Sequence, residues 1–407
     1  GIVQQGGNDI PVTVTSTPST DSTSSPTKPS NTDNNQSFPT EVELDHSEDV
    51  VSNIDNELFE EDQQTTNDHD ESQQKEGDDD VKEMNDNSKL SNVDFTNIDY
   101  TVGVYYYPWY TQENNFHGQH YLRGELDPPQ NPALGEYKQD NPDVISQHLK
   151  WSKQANINMW ATSWWGPDTV TDQTTLNILD HEELPQSNVK ITLFYETRGR
   201  VPSDGDVTNI YPDMVYIAQT YFGNPNYLQI QGRPVIYVYL ARWLHQLDKL
   251  EVALADMRSA AKNSGYDDIY IVGDFAHETP PSSTQFKAYE PFNWLDAITE
   301  FDVFGSMNRP EYAGDAGVEL YRKKQEKWRD AAHDEKCDFI PSITPGFNDK
   351  GVRPSTFPSM SRKLNPGDEY GSLFEALLTN ALEQVDRNTG NLFMVNSFNQ
   401  WHEDTQI

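Results

Sequence analysis

Eight short apolar runs of β-strand character occupy the chain from Tyr100 onward, and polar stretches separate them. Most of these stretches have apolar residues at steps of three and four, which is typical of helices. Strand and helix alternating eight times over roughly 300 residues predicts a (β/α)8 barrel. The predicted strands are 101–110, 157–166, 189–196, 234–240, 269–275, 295–305, 338–347 and 391–398.

A doubly wound open sheet is the alternative, because it also alternates strands with helices. That fold commonly has a Gly-rich phosphate loop after its first strand. The sequence after the first run here is "TQENNF", which contains no glycine. The pattern therefore favours the barrel, although "TPPSSTQF" reads as a loop where a helix is expected.

Residues 1–98 have a different composition from the rest of the chain. They contain 4 Lys and no Arg against 23 acidic residues, a net charge of −19, and they begin with a Ser/Thr/Pro-rich stretch. Such a segment buries too little apolar surface to offset the entropy of ordering, so we predict a disordered acidic tail. A solvated linker or stalk is favoured over an acidic interaction arm. The folded barrel domain is predicted at 99–407.

The charge of the whole chain is −37, which argues against nucleic acid and anionic membrane surfaces as partners. Cys337 is the single cysteine, so an intrachain disulfide is excluded. No apolar run reaches membrane-spanning length. The sequence begins at Gly1, so a signal or anchor upstream remains an open expectation.

Aromatic and carboxylate residues follow the predicted strands, where a barrel places its chemistry. Sugars suit such a rim, because their apolar faces stack on aromatic rings and their hydroxyls bond polar groups. Some of these aromatics can instead simply fill the barrel mouth. The candidates are Tyr106, Tyr107, Trp109, Trp164, Trp165, Glu196, Tyr237, Tyr239, Asp274, Asp302, Asn399, Gln400, Trp401, His402 and Glu403.

Five segments in order resemble glycoside hydrolase family 99, the endo-α-mannosidase and endo-α-mannanase group, and its polysaccharide-locus relatives. They are "YYYPWY", "NPALGEYKQDNPDVISQHLKWSKQANINMWATSWWGPD", "GRPVIYVY", "ITPGFNDKGVRP" and "SFNQWHEDTQI". The resemblance covers about residues 102–407. The last segment is the most specific, and it implies that further residues normally follow Ile407.

The resemblance implies a retaining, endo-acting hydrolase of α-mannosidic bonds. In the family, one carboxylate is thought to deprotonate the sugar 2-hydroxyl, which attacks internally to form a 1,2-anhydro sugar. A second carboxylate acts as acid and then as base. By position, Glu403 matches the acid/base, Gln400 matches the residue that deprotonates the hydroxyl, and Glu196 matches a position next to the sugar.

Gln400 departs from this pattern, because an amide can bond a hydroxyl but cannot take its proton. Three explanations stay open: a native difference in a weak enzyme or sugar-binding relative, a substitution introduced to trap substrate, or a base supplied by Glu196. The sequence favours the native difference. A catalytically weak carbohydrate-binding protein or a polysaccharide-assembly protein is therefore the alternative function.

The remaining expectations concern ligands and location. No cofactor or metal is expected, because His117, His120 and His148 lack metal-ligand spacing. Asp349 and Arg353 are expected to shape the loop after strand seven. The resemblance implies a mannose-containing glycan or polysaccharide as partner, a monomer, and a secreted or Golgi-lumenal location.

Overall fold

The computed structural model describes residues 99–110, 131–276, 279–282, 290–350 and 358–407. The predicted tail, 1–98, lies outside the described residues. The described strands are β1 (Thr101–Tyr106), β2 (Met159–Trp164), β3 (Lys190–Tyr195), β4 (Gln229–Ile230), β5 (Arg233–Val238), β6 (Tyr270–Asp274), β7 (Ala297–Thr299), β8 (Asp338–Ile340), β9 (Ser342–Ile343) and β10 (Leu392–Val395).

All of these strands except β4, which pairs antiparallel with β5, form a ring in the order β8-β7-β6-β5-β3-β2-β1-β10-β9, and every pair along it is parallel. β8 and β9 are halves of one barrel strand on either side of Pro341. β8 pairs with β7, β9 pairs with β10, and the Pro341 carbonyl accepts the Met394 N–H at 2.9 Å. Within the described residues the ring thus has eight strand positions, and the predicted (β/α)8 barrel is confirmed.

The helices follow the strands as expected for this fold. The described helices are α1 (Pro142–Gln154), α2 (Val170–Leu179), α3 (Leu184–Ser187), α4 (Thr197–Arg200), α5 (Ile210–Thr220), α6 (Ala241–Gln246), α7 (Leu250–Asn263), α8 (Val303–Ser306), α9 (Gly314–Asp334) and α10 (Ser372–Leu382). Pro142 begins α1, where its missing N–H costs no hydrogen bond, and the Asn141 side chain caps the Asp143 N–H. None of the helices in the described ranges has the length and apolar character needed to cross a bilayer.

All eight strands are shorter than their predicted ranges, and two differ more than the rest, each for a local reason. The run 295–305 is a strand only over Ala297–Thr299, because Asp302 caps the Gly305 N–H at 2.8 Å and starts α8. The run 338–347 is interrupted at Pro341, which has no N–H for the ladder. Among the described residues before β7 is the 3-10 helix Glu290–Trp294.

Side chains alternate between two buried layers along every barrel strand. The interior is filled largely by aromatic rings, with the Tyr105 ring centroid 4.9 Å from that of Phe194 and 6.4 Å from that of Tyr237. The alternate residues, such as Tyr106 and Trp160, lie in the outer layer between barrel and helices. This parity decides which residues at the ends of the strands face the mouth of the barrel.

The barrel interior leaves no room beside Gly103 on β1. A Cβ added there would lie 2.5 Å from Met394 Sδ and 2.7 Å from Met159 Cε. Gly103→Val should therefore lower the free energy of unfolding by about 1–3 kcal/mol, as overpacked cores generally do. Urea unfolding measures this loss of stability. Gly223→Val is the control, because Gly223 is exposed and the nearest atom to a Cβ added there would lie 3.7 Å from it. Equal losses at both positions would contradict the close packing.

Candidate active site

The segment 397–407, here called the C-terminal loop, folds back on itself directly after β10. Ser397 donates its N–H to Thr405 O at 2.7 Å, and its hydroxyl accepts the Gln400 N–H at 2.7 Å. The Arg362 guanidinium, from outside the loop, donates to the backbone oxygens of Asp404 and Gln406 at 2.9 Å. The loop is therefore a fixed structure that holds its side chains at the mouth of the barrel.

Asn399 fastens this loop to the end of β1. Its Oδ1 accepts the Tyr107 N–H at 2.7 Å, while its Nδ2 donates to Tyr107 O at 2.9 Å and to Gln139 Oε1 at 3.2 Å. The Tyr110 hydroxyl also donates to Asn399 O at 2.9 Å. Because its amide groups already have these partners, the geometry assigns Asn399 a place in the framework of the site.

Four side chains, Tyr107, Trp109, Trp165 and His402, form what we call the aromatic wall. Trp109 is central, with ring centroids 4.6 Å from Tyr107, 5.5 Å from His402 and 6.4 Å from Trp165. Trp165 lies over Gly199, where a Cβ would collide with the indole. Burial lowers the pKa of His402 to about 3, so its imidazole is neutral at physiological pH. The wall offers rings and neutral polar edges to a ligand.

Glu196 directly follows β3 and turns its carboxyl toward the mouth of the barrel. Trp165 Nε1 donates to Ser163 Oγ at 2.9 Å, and the Ser163 hydroxyl donates to Glu196 Oε1 at 2.6 Å. Burial raises the pKa of Glu196 to about 8, although the Ser163 hydrogen bond opposes this, and the charges of Glu403 and Asp274 raise it further. Glu196 is thus a protonated acid at neutral pH.

Glu403 and Gln400 both lie buried in the C-terminal loop, 7% and 6% exposed. The Glu403 carbonyl accepts the Asn348 N–H at 2.7 Å, and its carboxylate raises the pKa of both Tyr107 and Glu196. Gln400 Oε1 is buried and has no hydrogen-bond partner among the described residues. A buried acceptor left unpaired costs about 1–3 kcal/mol, so this oxygen is suited to receive a ligand hydroxyl.

The structure does not bring Tyr106, Trp164 and Tyr237 to this mouth. Tyr106 and Trp164 face the outer layer, where Tyr106 stacks on Trp160 at 4.2 Å and Trp164 Nε1 donates to Asp172 at 2.7 Å. Tyr237 lies inside the barrel, fully buried, with its hydroxyl 3.5 Å from Met394 Sδ. The period of two along a strand turns Tyr106 and Trp164 away from the mouth, whereas Tyr237 faces inward but lies deeper in the barrel.

The other candidates lie around the mouth in supporting positions. Tyr239 is half-buried beside Phe194 and Phe301, with centroids 5.2 and 5.5 Å away. Trp401 is half-buried and donates its Nε1–H to Tyr137 Oη at 3.0 Å. Asp274 accepts the N–H groups of Leu240 and Phe301, at 3.1 and 2.9 Å. Burial raises the pKa of Asp274 to about 6.

Residues that the sequence did not single out also build the site. Ser163 could have been found, because it shares the inward parity of Met159 and Ala161 on β2. No sequence pattern pointed to Tyr110, Tyr137 or Gln139, because each makes its hydrogen bond in the site with a residue more than 250 positions away. His117, His120 and Arg353 lie outside the described residues, and Asp349 lies in the loop after β9.

Comparisons with known proteins agree on one family. The model of glycosyl hydrolase family 99 matches residues 91–407. The rat glycoprotein endo-alpha-1,2-mannosidase is 24% identical over 347 residues, covering 76% of this chain and 68% of its own length. A mouse glycoprotein endo-alpha-1,2-mannosidase-like protein is 26% identical over 350 residues, covering 75% and 68%.

Solved structures show the same fold. The GH99 endo-alpha-mannosidase from Bacteroides thetaiotaomicron superimposes with a TM-score of 0.54 at 20% identity, covering 76% of this chain and 87% of that one. A glycoside hydrolase-like protein gives a TM-score of 0.56 at 20% identity, with the same two coverages.

The protonation of Glu196 makes a prediction for stability. Because folding raises its pKa from 4.5 to about 8, the folded state keeps a proton that the unfolded state loses between these pH values. This contribution to the free energy of unfolding is complete below pH 4.5 and is lost as the pH rises through 8. Glu196→Gln removes this ionisation. The free energy of unfolding of the variant should therefore rise relative to that of the parent as the pH rises, by on the order of a few kcal/mol near pH 9.

Urea unfolding from pH 5 to 9 measures this difference. Glu375→Gln, at an exposed position on α10, controls for the loss of one negative charge. A difference between Glu196→Gln and the parent that stays constant across this range would contradict a buried, protonated Glu196.

Proposed function

Because this chain belongs to glycosyl hydrolase family 99, we propose that it is a glycosidase that hydrolyses α-mannosidic bonds within a mannose-containing glycan or polysaccharide. The observation that carries the proposal is the burial of Glu403 beside the aromatic wall, at the carboxyl ends of the barrel strands. The names of the relatives support an endo-acting α-mannosidase.

The aromatic wall would bind the apolar face of a sugar ring. Trp109 and Trp165 offer large, half-buried rings on one side of the mouth, and neutral His402 offers a hydrogen-bonding edge. Glu196, as a neutral acid, would donate its proton in a hydrogen bond to a sugar hydroxyl. These contacts would hold the glycosidic bond next to Glu403.

Glu403 is proposed as the proton donor for the leaving oxygen as the bond from C1 to that oxygen breaks, and the positive charge left at C1 is shared with the sugar ring oxygen. Glu403 would then remove a proton from the water that attacks C1, so that the carboxyl returns to its starting state. Gln400 would accept a hydrogen bond from a sugar hydroxyl through its unpaired Oε1. Since an amide cannot take up the proton of that hydroxyl, we expect hydrolysis to be about 10²–10⁴ times slower than with a carboxylate at position 400.

A carbohydrate-binding protein with little or no catalysis is the second candidate function. Gln400 favours it, because its Oε1 lacks a partner in the described part of the chain and is ready to bind a hydroxyl without reacting. Binding and hydrolysis would use the same mouth, and residue 400 would decide between them.

Hydrolysis is tested with α-1,2-linked manno-oligosaccharides, whose products are identified by mass spectrometry. The parent should release sugar slowly, Gln400→Glu about 10²–10⁴ times faster, and Glu403→Gln not at all. The exposed Glu375→Gln should match the parent. Release by Gln400→Glu alone would favour the binding function, and no release by either protein would contradict the glycosidase.

Binding is tested by calorimetry with the same oligosaccharides. Trp109→Ala should lose measurable affinity, because it removes the central ring of the aromatic wall. Trp243→Ala is a matched control, since Trp243 lies in the outer layer against Arg198. Unchanged affinity in Trp109→Ala would exclude the wall as the sugar-binding surface.

A further inference from the structure

A line of four hydrogen-bonded side chains runs from the C-terminal loop to helix α1. It consists of Asn399, Gln139, Tyr106 and His148, each no more than 2% exposed. Asn399 Nδ2 lies 3.2 Å from Gln139 Oε1, Gln139 Nε2 contacts the Tyr106 hydroxyl, and that hydroxyl lies 2.9 Å from His148 Nδ1. The proposed mechanism uses none of the last three residues.

The backbone of Tyr107 fixes the direction of the bonds from Asn399 to Gln139 and from Gln139 to Tyr106. Its N–H can only donate, so the Asn399 atom that faces it must be Oδ1, and Nδ2 must donate to Gln139 Oε1. Gln139 then donates through Nε2 to Tyr106, whose own hydrogen remains for His148 Nδ1. Burial lowers the pKa of His148 to about 3, which agrees with a neutral ring that accepts at this nitrogen.

Gln139 is the point where three separate segments meet. Besides its two side-chain bonds, its backbone N–H donates to Tyr110 O. It therefore contacts the end of β1, the turn before α1 and the C-terminal loop. Asn399 directly precedes Gln400, and Tyr107 lies two residues before Trp109, so Gln139 connects the two sides of the mouth.

We propose that Gln139 is a positioning residue that sets the C-terminal loop, with Gln400 and Glu403, at its distance from Tyr107 and Trp109 of the aromatic wall. It touches neither group directly and acts through Asn399 and Tyr106. An amide is required, because it accepts at one end and donates at the other. A leucine would leave the Asn399 N–H and the Tyr106 hydroxyl without their partner in a buried place.

Hydrogen exchange followed by mass spectrometry tests the proposal without relying on catalysis. Gln139→Leu should speed amide exchange about tenfold or more in peptides from 105–110 and 397–403, because these two segments lose the hydrogen bonds that Gln139 makes between them. Exchange in α7 should stay as in the parent protein. Tyr106→Phe removes the middle link but keeps the ring, and it should raise exchange in the same two peptides by a smaller factor.

Gln325→Leu is the matched control. Gln325 is also buried, 1% exposed, but it donates to Ser342 O from helix α9. It should leave both peptides unchanged. If Gln139→Leu or Tyr106→Phe leaves them unchanged, or if Gln325→Leu affects them equally, the proposal is wrong.

Kinetics supply a second readout, which rests on the proposed function. In the Gln400→Glu background, Gln139→Leu should lower kcat about tenfold or more with little change in KM, since misplaced catalytic groups slow the chemical step. A merely structural role would leave the kcat of the folded fraction intact. Absence of turnover in this background would contradict the glycosidase but not the exchange result.

Discussion

The pair of hydrogen bonds between the Asn399 side chain and the backbone of Tyr107 is the constraint on which the site depends. It joins residues 292 positions apart and uses both ends of one amide. The adjacent Phe398 N–H donates to Tyr105 O at 2.9 Å, so the join continues the pairing of β10 with β1. The last barrel strand therefore brings the C-terminal loop to the end of the first strand, and Glu403 lies beside the aromatic wall as a consequence.

Burial gives the carboxyl groups around the mouth different tasks. Asp274 is held by two backbone N–H groups from neighbouring loops, which makes it part of the frame. Burial raises the pKa of Glu196 to about 8, although the Ser163 hydroxyl opposes this shift, and nearby Glu403 and Asp274 add to it. The pKa of Asp274 rises only to about 6, so unequal surroundings give these two carboxyl groups different pKa values.

Much of the fold could be predicted from the sequence, because strand and helix periods are local signals. All eight barrel strands were located, with the ends of two displaced by Pro341 and by the Asp302 cap. Trp109, Trp165 and Glu196 could be placed at the mouth because they follow strands. Tyr106, Trp164 and Tyr237 were predicted for the same reason, but strand parity or depth places them elsewhere. Gln139 could not be found, since its role depends on contacts between distant segments.

The central claim is that Glu403 lies beside the glycosidic oxygen of a sugar bound on the aromatic wall, with the Gln400 amide as a hydrogen-bonding neighbour. A crystal structure of Glu403→Gln with an α-1,2-linked manno-oligosaccharide tests it most directly. We expect the glycosidic oxygen within about 3 Å of the side chain at position 403, with a sugar ring against Trp109. A sugar bound elsewhere, or with that oxygen beyond reach of residue 403, would contradict the account.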